Sequence, residues 1–180
     1  MARAGFLGDH HLCSSFDQRT AVPGLPKPLS RQDGRQSETA LVVARGTRRL
    51  LRRLNFSTVT ELPLLTGRRA DIVALAMDAT IFIVEIKSSV ADFRADTKWA
   101  DYRAHCDRLY FAILETVPIE IMPGDAGLIL ADAYGAEILR QAPEHRIAAA
   151  TRRAVLMRFA HAAALRLHRL SDPEAIARSG

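Results

Sequence analysis

The 180-residue chain reads as an α/β protein with one mixed β-sheet between helices. Three observations predict it. Residues 70–76 (ADIVALA) and 81–87 (IFIVEIK) are apolar on both faces, as central strands of a covered sheet require. Amphipathic helical patterns open and close the folded part of the chain. A further helical pattern separates the third strand-like run from the fourth, long enough for a parallel crossover.

The elements follow in order. Residues 1–36 carry Pro23, Gly24, Pro26, Pro28 and Gly34 without sustained periodicity and read as a disordered leader. The folded domain then spans 37–171, with 172–180 as a tail. Over 37–54, Val43, Gly46, Thr47, Leu50 and Leu54 share one helical face, and Arg45, Arg48, Arg49, Arg52 and Arg53 occupy the other with Glu38. The strand run 56–62 ends at a turn marked by Pro63 and Gly67. After the two buried strands, Ser89 followed by Asp92 resembles a capping box and opens a helix over 90–105. Residues 109–114 form another buried strand. Short strands at 127–131 and 136–139 form a hairpin, and a closing helix runs over 147–170 with Leu156, Phe159, Ala160, Ala163, Leu167 and Leu170 as its apolar stripe.

Composition bounds the function. A hydrophobic fraction of 48% and a charged fraction of 25% describe one globular domain with a real core. No apolar run approaches the roughly 20 residues of a membrane helix, and the N-terminus shows no signal peptide, so no membrane partner is expected. Cys13 and Cys106 have no metal-like or redox spacing, which makes a reducing cytoplasm the simplest location. Net charge is +5, and the basic residues lie at the periphery. Residues 45–53 hold five arginines and no acid; between His145 and Ser171 there are six arginines and no acid. That distribution suits a polyanion held by arginines and cut at an acidic centre; it also suits helices that are merely solubilised.

The anomaly lies in the buried strands. Glu85 and Lys87 interrupt an otherwise apolar run on one face, about 6.6 Å apart along the strand. Burying an unpaired charge costs several kcal/mol, so neither residue is there for packing. Asp71 repeats the anomaly on the preceding strand. A structural ion pair explains Glu85 and Lys87 but leaves Asp71 uncompensated. Two carboxylates and the Ile86 backbone carbonyl make a hard-oxygen site for Mg²⁺ or Mn²⁺, with Lys87 placed to meet a phosphate. Sharing an ion requires Asp71 and Glu85 on one face. A three-residue loop, Met77-Asp78-Ala79, sets them opposite each other; a two-residue loop moves Asp71 to face Ile86.

Asp71 followed by Glu85-Ile86-Lys87 on the next strand resembles the Asp…Glu-x-Lys signature of the PD-(D/E)XK nuclease superfamily, with Ala70-Asp71 for the usual Pro-Asp. The longer string GRRADIVAL…IVEIKSSVADFRADTKWADYRAHCDRLYFAI, with PGDAGLILADAYGAEILR, resembles the MmcB-type DNA repair proteins over residues 36–170. The resemblance implies a restriction-endonuclease-like core, a role in DNA repair, and Asp71, Glu85 and Lys87 as the catalytic site. Lys98 and Tyr102, four apart, resemble the Gln-x-x-x-Tyr element of RecB-type nucleases; such a pair is also an ordinary half-buried patch. Glu38 resembles an accessory acid of relatives, or else makes a solvated salt bridge. Arg68 and Arg69, in the turn before Asp71, are candidate phosphate contacts. Trp99 is expected in the core, and His161 and His168 on the surface.

The expected activity is therefore a Mg²⁺- or Mn²⁺-dependent nuclease acting on DNA, branched or damaged forms included. A DNA-binding repair module that keeps the fold without cleaving is the alternative from another class, and an RNA-processing nuclease shares the chemistry.

Overall fold

The computed structural model describes residues 37–174; the leader, Cys13 and residues 175–180 lie outside the described part. The architecture is helix α1 (Glu38–Arg53), strands β1 (Ser57–Pro63), β2 (Arg69–Leu75) and β3 (Ile81–Lys87), helix α2 (Val90–Ala95), strands β4 (Arg108–Ile113), β5 (Gly127–Ala131) and β6 (Ala136–Arg140), and helix α3 (Ala149–Ser171). All six strands form one sheet in chain order. The β1–β2, β2–β3 and β5–β6 pairs are antiparallel; β3–β4 and β4–β5 are parallel, so the sheet is mixed as expected. No described helix is long and apolar enough to cross a membrane.

Strand alternation divides the core. Ile72, Ala74, Val84, Ile86, Tyr110, Ala112 and Ile129 pack with Val43, Leu50 and Leu51 of α1 on one face. Val73, Ile81, Ile83 and Leu109 pack with Val155, Phe159 and Ala162 of α3 on the other. Phe111, Ile113 and Leu128 continue that second face beneath Phe93 of α2 and Trp99.

α1 forms as its sequence dictates. The Ser37 hydroxyl accepts from the Ala40 amide at 3.2 Å, and Asn55 closes the helix in the left-handed region (φ 63°). Gly46 lies so close to the β5–β6 turn that a Cβ there would collide with the carbonyl oxygens of Asp132 and Gly135. Arg49 donates to the Ala133 and Tyr134 carbonyls at 2.8 and 3.0 Å, and Arg53 to Ala136 at 3.2 Å. Part of the arginine face thus fastens the hairpin.

Two expectations need correction. The helix over 90–105 is broken: α2 ends at Ala95, Asp96 and Thr97 leave helical geometry, and a 3₁₀ segment, Trp99–His105, follows. The reason is tertiary, since Asp96 is held by Lys87 at 2.6 Å. In α3 the buried face is Val155, Phe159 and Ala162 with Leu156 and Ala163 partly covered; Ala160 is exposed, and Leu167 and Leu170 are 67% and 81% exposed. Its stripe is turned toward Val155 because several faces of this helix are apolar.

Both early hairpins use one loop design. In the first, Leu64 N donates to Arg68 O and Gly67 N to Leu64 O; in the second, Ala76 N donates to Thr80 O and Ala79 N to Ala76 O. The last residue of each three-residue loop is left-handed, Gly67 at φ 81° and Ala79 at φ 66°. An L-residue there costs about 1–2 kcal/mol, which glycine avoids at some loss of chain entropy. Ala79→Gly is expected to raise stability by up to about 1 kcal/mol and Gly67→Ala to lower it by about 1 kcal/mol, read by urea denaturation. Equal signs for the two would contradict the loop assignment.

Candidate functional site

The three-residue loop at 77–79 sets Leu75 opposite Ile81 and Ile72 opposite Val84, and the same register carried one step further sets Asp71 opposite Glu85. Both side chains, with Lys87, lie on the sheet face covered by α3 and α2, because Val84 and Ile86 point to α1. Glu85 and Lys87 are buried, at 3% and 4% exposure.

At this end of the β2–β3 ladder side chains replace the backbone pairing. Asp71 Oδ2 accepts from the Ile86 amide at 2.8 Å, and Glu85 Oε1 accepts from the Asp71 amide at 3.3 Å. A residue's N–H and C=O leave a strand on the same side, so the Ile86 carbonyl borders the gap that Asp71 opens. On the other side, the β1–β2 ladder pairs Thr60 with Ile72 and Leu62 with Ala70 but omits Glu61, which is left-handed (φ 50°). Glu61 therefore falls in one row with Asp71 and Glu85, and its carboxylate pairs with Arg69.

Electrostatics follow from burial. Desolvation pushes the Asp71 carboxyl up to about 6, against the opposing hydrogen bond from Ile86 and with help from Glu61. Glu85 is pushed well above the usual carboxylate range by burial first and by Asp71 second. Burial also raises the Tyr102 hydroxyl, reinforced by Glu85 and Asp71. The Lys87 charge offsets part of this rise at both carboxyls, but its ammonium sits on Asp96, 2.6 Å from Oδ2, with side-chain exposures of 5% and 20%.

The remaining expected residues separate into groups. Tyr102 is buried and donates to the Arg69 carbonyl at 3.1 Å, and the Arg68 guanidinium lies over its ring at 5.7 Å and pairs with Asp101 at 3.0 Å. Arg68 and Arg69 thus border the site, each in an ion pair. Lys98 is exposed at the start of the 3₁₀ segment, so it shares no α-helical face with Tyr102. Glu38 is exposed in the first turn of α1, which packs on the opposite face of the sheet. Trp99 packs edge-on against Phe111, and His161 and His168 are exposed, as expected. Sequence reasoning missed Glu61 and Asp96, and read Asp92 as part of a capping box. Asp92 accepts from the Ser88 amide at 3.0 Å, and the Ser89 hydroxyl caps α2.

Two facing carboxylates with raised proton affinity, beside a carbonyl and a lysine engaged elsewhere, have the donor chemistry of a hard divalent cation site. Among the described residues no group of three His, Cys, Asp or Glu side chains is arranged to hold a metal, so Asp71, Glu85, the Ile86 carbonyl and water would make up the set.

The sign of the pH effect is unusual. A carboxyl whose folded pKa is above its unfolded value destabilises the metal-free fold once ionised, so this contribution worsens as pH rises from about 4 through about 6. Asp71→Asn keeps an acceptor for the Ile86 amide and removes the charge. The variant is expected to exceed wild type at pH 7.5 in metal-free buffer by on the order of 1–3 kcal/mol, with the gap closing near pH 4. Chemical denaturation across pH measures it; a gap independent of pH would contradict it.

Comparison with known proteins places this chain in a family. The family model described as DNA repair protein MmcB-like matches residues 27–174. A protein of unknown function from Silicibacter pomeroyi has a solved structure that is similar at 42% identity, with a TM-score of 0.74, over 77% of this chain and 95% of that one. No curated protein matches the chain. With the match spanning all of the described fold, this chain belongs to the MmcB-like family of DNA repair proteins.

Proposed function

We propose that the protein is a DNA repair nuclease that hydrolyses phosphodiester bonds with Mg²⁺ or Mn²⁺. The observation that carries this reading is the strand pairing that brings Asp71 alongside Glu85, one carboxylate half-buried and the other buried, while the Lys87 ammonium is bonded to Asp96 instead. Asp71, Glu85 and the Ile86 carbonyl would hold the ion. Such an ion, when bound, polarises a phosphoryl oxygen and lowers the pKa of bound water. Lys87, two residues beyond Glu85 on the same face, would neutralise a scissile phosphate, and Arg68, Arg69 and Lys98 would contact neighbouring phosphates. The resemblance to the PD-(D/E)XK signature and the family's repair role support the same reading.

A specific observation favours a second reading, a DNA-binding repair module without cleavage. Lys87 is engaged by Asp96, and each carboxylate satisfies a backbone amide of the facing strand, so the constellation is also a self-sufficient structural network.

The discriminating experiment offers plain, nicked, flapped and branched DNA to wild type and Asp71→Asn, with and without Mg²⁺ or Mn²⁺. Metal-dependent cleavage of at least one form is expected from wild type, with a loss of orders of magnitude in the variant. Mg²⁺ at about 100 times its dissociation constant should stabilise wild type by about 2.7 kcal/mol and leave Asp71→Asn unmoved. DNA binding with neither cleavage nor a metal-dependent shift would select the binding module.

A further inference from the structure

The Lys87–Asp96 pair carries an inference that rests on the reading of Lys87 as a phosphate contact. Asp96 lies where α2 stops, and its two carboxylate oxygens have separate partners. Oδ1 accepts from the Lys98 amide at 3.3 Å, an Asx-type turn that starts the 3₁₀ segment. Oδ2 accepts from Lys87 Nζ at 2.6 Å. Lys87 Nζ thus reaches this carboxylate rather than Glu85 on its own strand, and its side chain is 5% exposed. Arg94 and Lys98, two residues either side of Asp96, are exposed. An anion drawn to this junction meets two exposed cations flanking the carboxylate that already occupies Lys87.

We infer that Asp96 is a positioning residue that occupies the phosphate position on Lys87 and yields it to a DNA phosphate. A carboxylate and a phosphate oxygen are equivalent acceptors for one ammonium, so binding exchanges one charge-assisted hydrogen bond for another. On release Oδ2 of Asp96, whose side chain is 20% exposed, takes water in place of Lys87, while Oδ1 keeps the Lys98 amide and the backbone stays in place. In the DNA-free protein Asp96 thereby holds Lys87 extended toward α2 and opposes DNA binding at Lys87 by direct competition.

Asp96→Asn removes the competing charge and keeps an oxygen for the Lys98 amide. The test is a double-mutant cycle of full-length wild type, Asp96→Asn, Lys87→Met and the double variant. Each is titrated with a fluorescein-labelled duplex in EDTA, where cleavage plays no part, and circular dichroism checks the fold. Asp96→Asn is expected to bind about tenfold more tightly than wild type, the worth of one hydrogen bond to a charged group, and the gain should vanish in the Lys87→Met background. A gain that persists without Lys87 would reflect net charge alone and overturn the proposal. So would unchanged or weaker binding by Asp96→Asn, or no binding by either protein. Because no step requires metal or hydrolysis, failure of the cycle is separate from failure of the nuclease reading, which the cleavage panel decides.

Discussion

The site depends on the parity of one short loop, and that loop is fastened from outside the hairpin. Arg152 of α3 donates to the Ala79 carbonyl at 2.8 Å and grips both oxygens of Asp107 at 2.7 Å, and Asp107 Oδ2 accepts from the Ile81 amide at 2.7 Å. The start of β3, the start of β4, the hairpin tip and α3 thus meet at one ion pair. The site lies at the far end of the same two strands. A one-residue slip there would turn Asp71 toward α1 and leave Glu85 facing an apolar residue. Burial raises the Asp107 carboxyl, but Arg152 and the Ile81 amide overcome it and hold the group below its ordinary range. This acid strengthens the fold at neutral pH, whereas Asp71 and Glu85 weaken it, so the stabilising and the destabilising acids lie at different ends of β3.

The arginines show why a charge total says little about a binding surface. Arg49, Arg53, Arg108, Arg140, Arg152 and Arg166 all donate to backbone carbonyls, linking α1, α3 and the sheet to the loops. Arg68, Arg69 and Arg103 are in ion pairs. A guanidinium suits this work because its planar fork satisfies two acceptors at once and stays charged when half-buried. The basic composition is in good part a structural device, and the cations left to meet a polyanion are fewer than the sequence implies.

What could be read from the sequence was whatever broke a strong local rule. Asp71, Glu85 and Lys87 stood out because charges interrupt fully apolar strands, and the loop length between them fixed their relative face. The fold order was equally readable from periodicity. Asp96 was not, because positions 90–105 keep an acceptable helical pattern and only the pull of Lys87 from another element shows where the helix stops. Glu61 was hidden for a related reason: it sits in a half-buried edge strand where an acid is ordinary, and its alignment with Asp71 exists only once the first hairpin is closed. For α3, apolar residues on several faces left the rotation to be decided by which side met the sheet.

The left-handed Glu61 has an effect beyond its place beside Asp71. β1 is an outer strand of the sheet, as β6 is at the other side, and a regular outer strand invites another chain to extend it by backbone pairing. Here the backbone is twisted at Glu61, proline at position 63 removes a donor, and Arg166 of α3 takes the Thr60 carbonyl. The irregularity that brings an acid into line with Asp71 also spoils β1 as a template, so a repair protein with a strongly β-forming sheet is protected from edge-to-edge aggregation along this side.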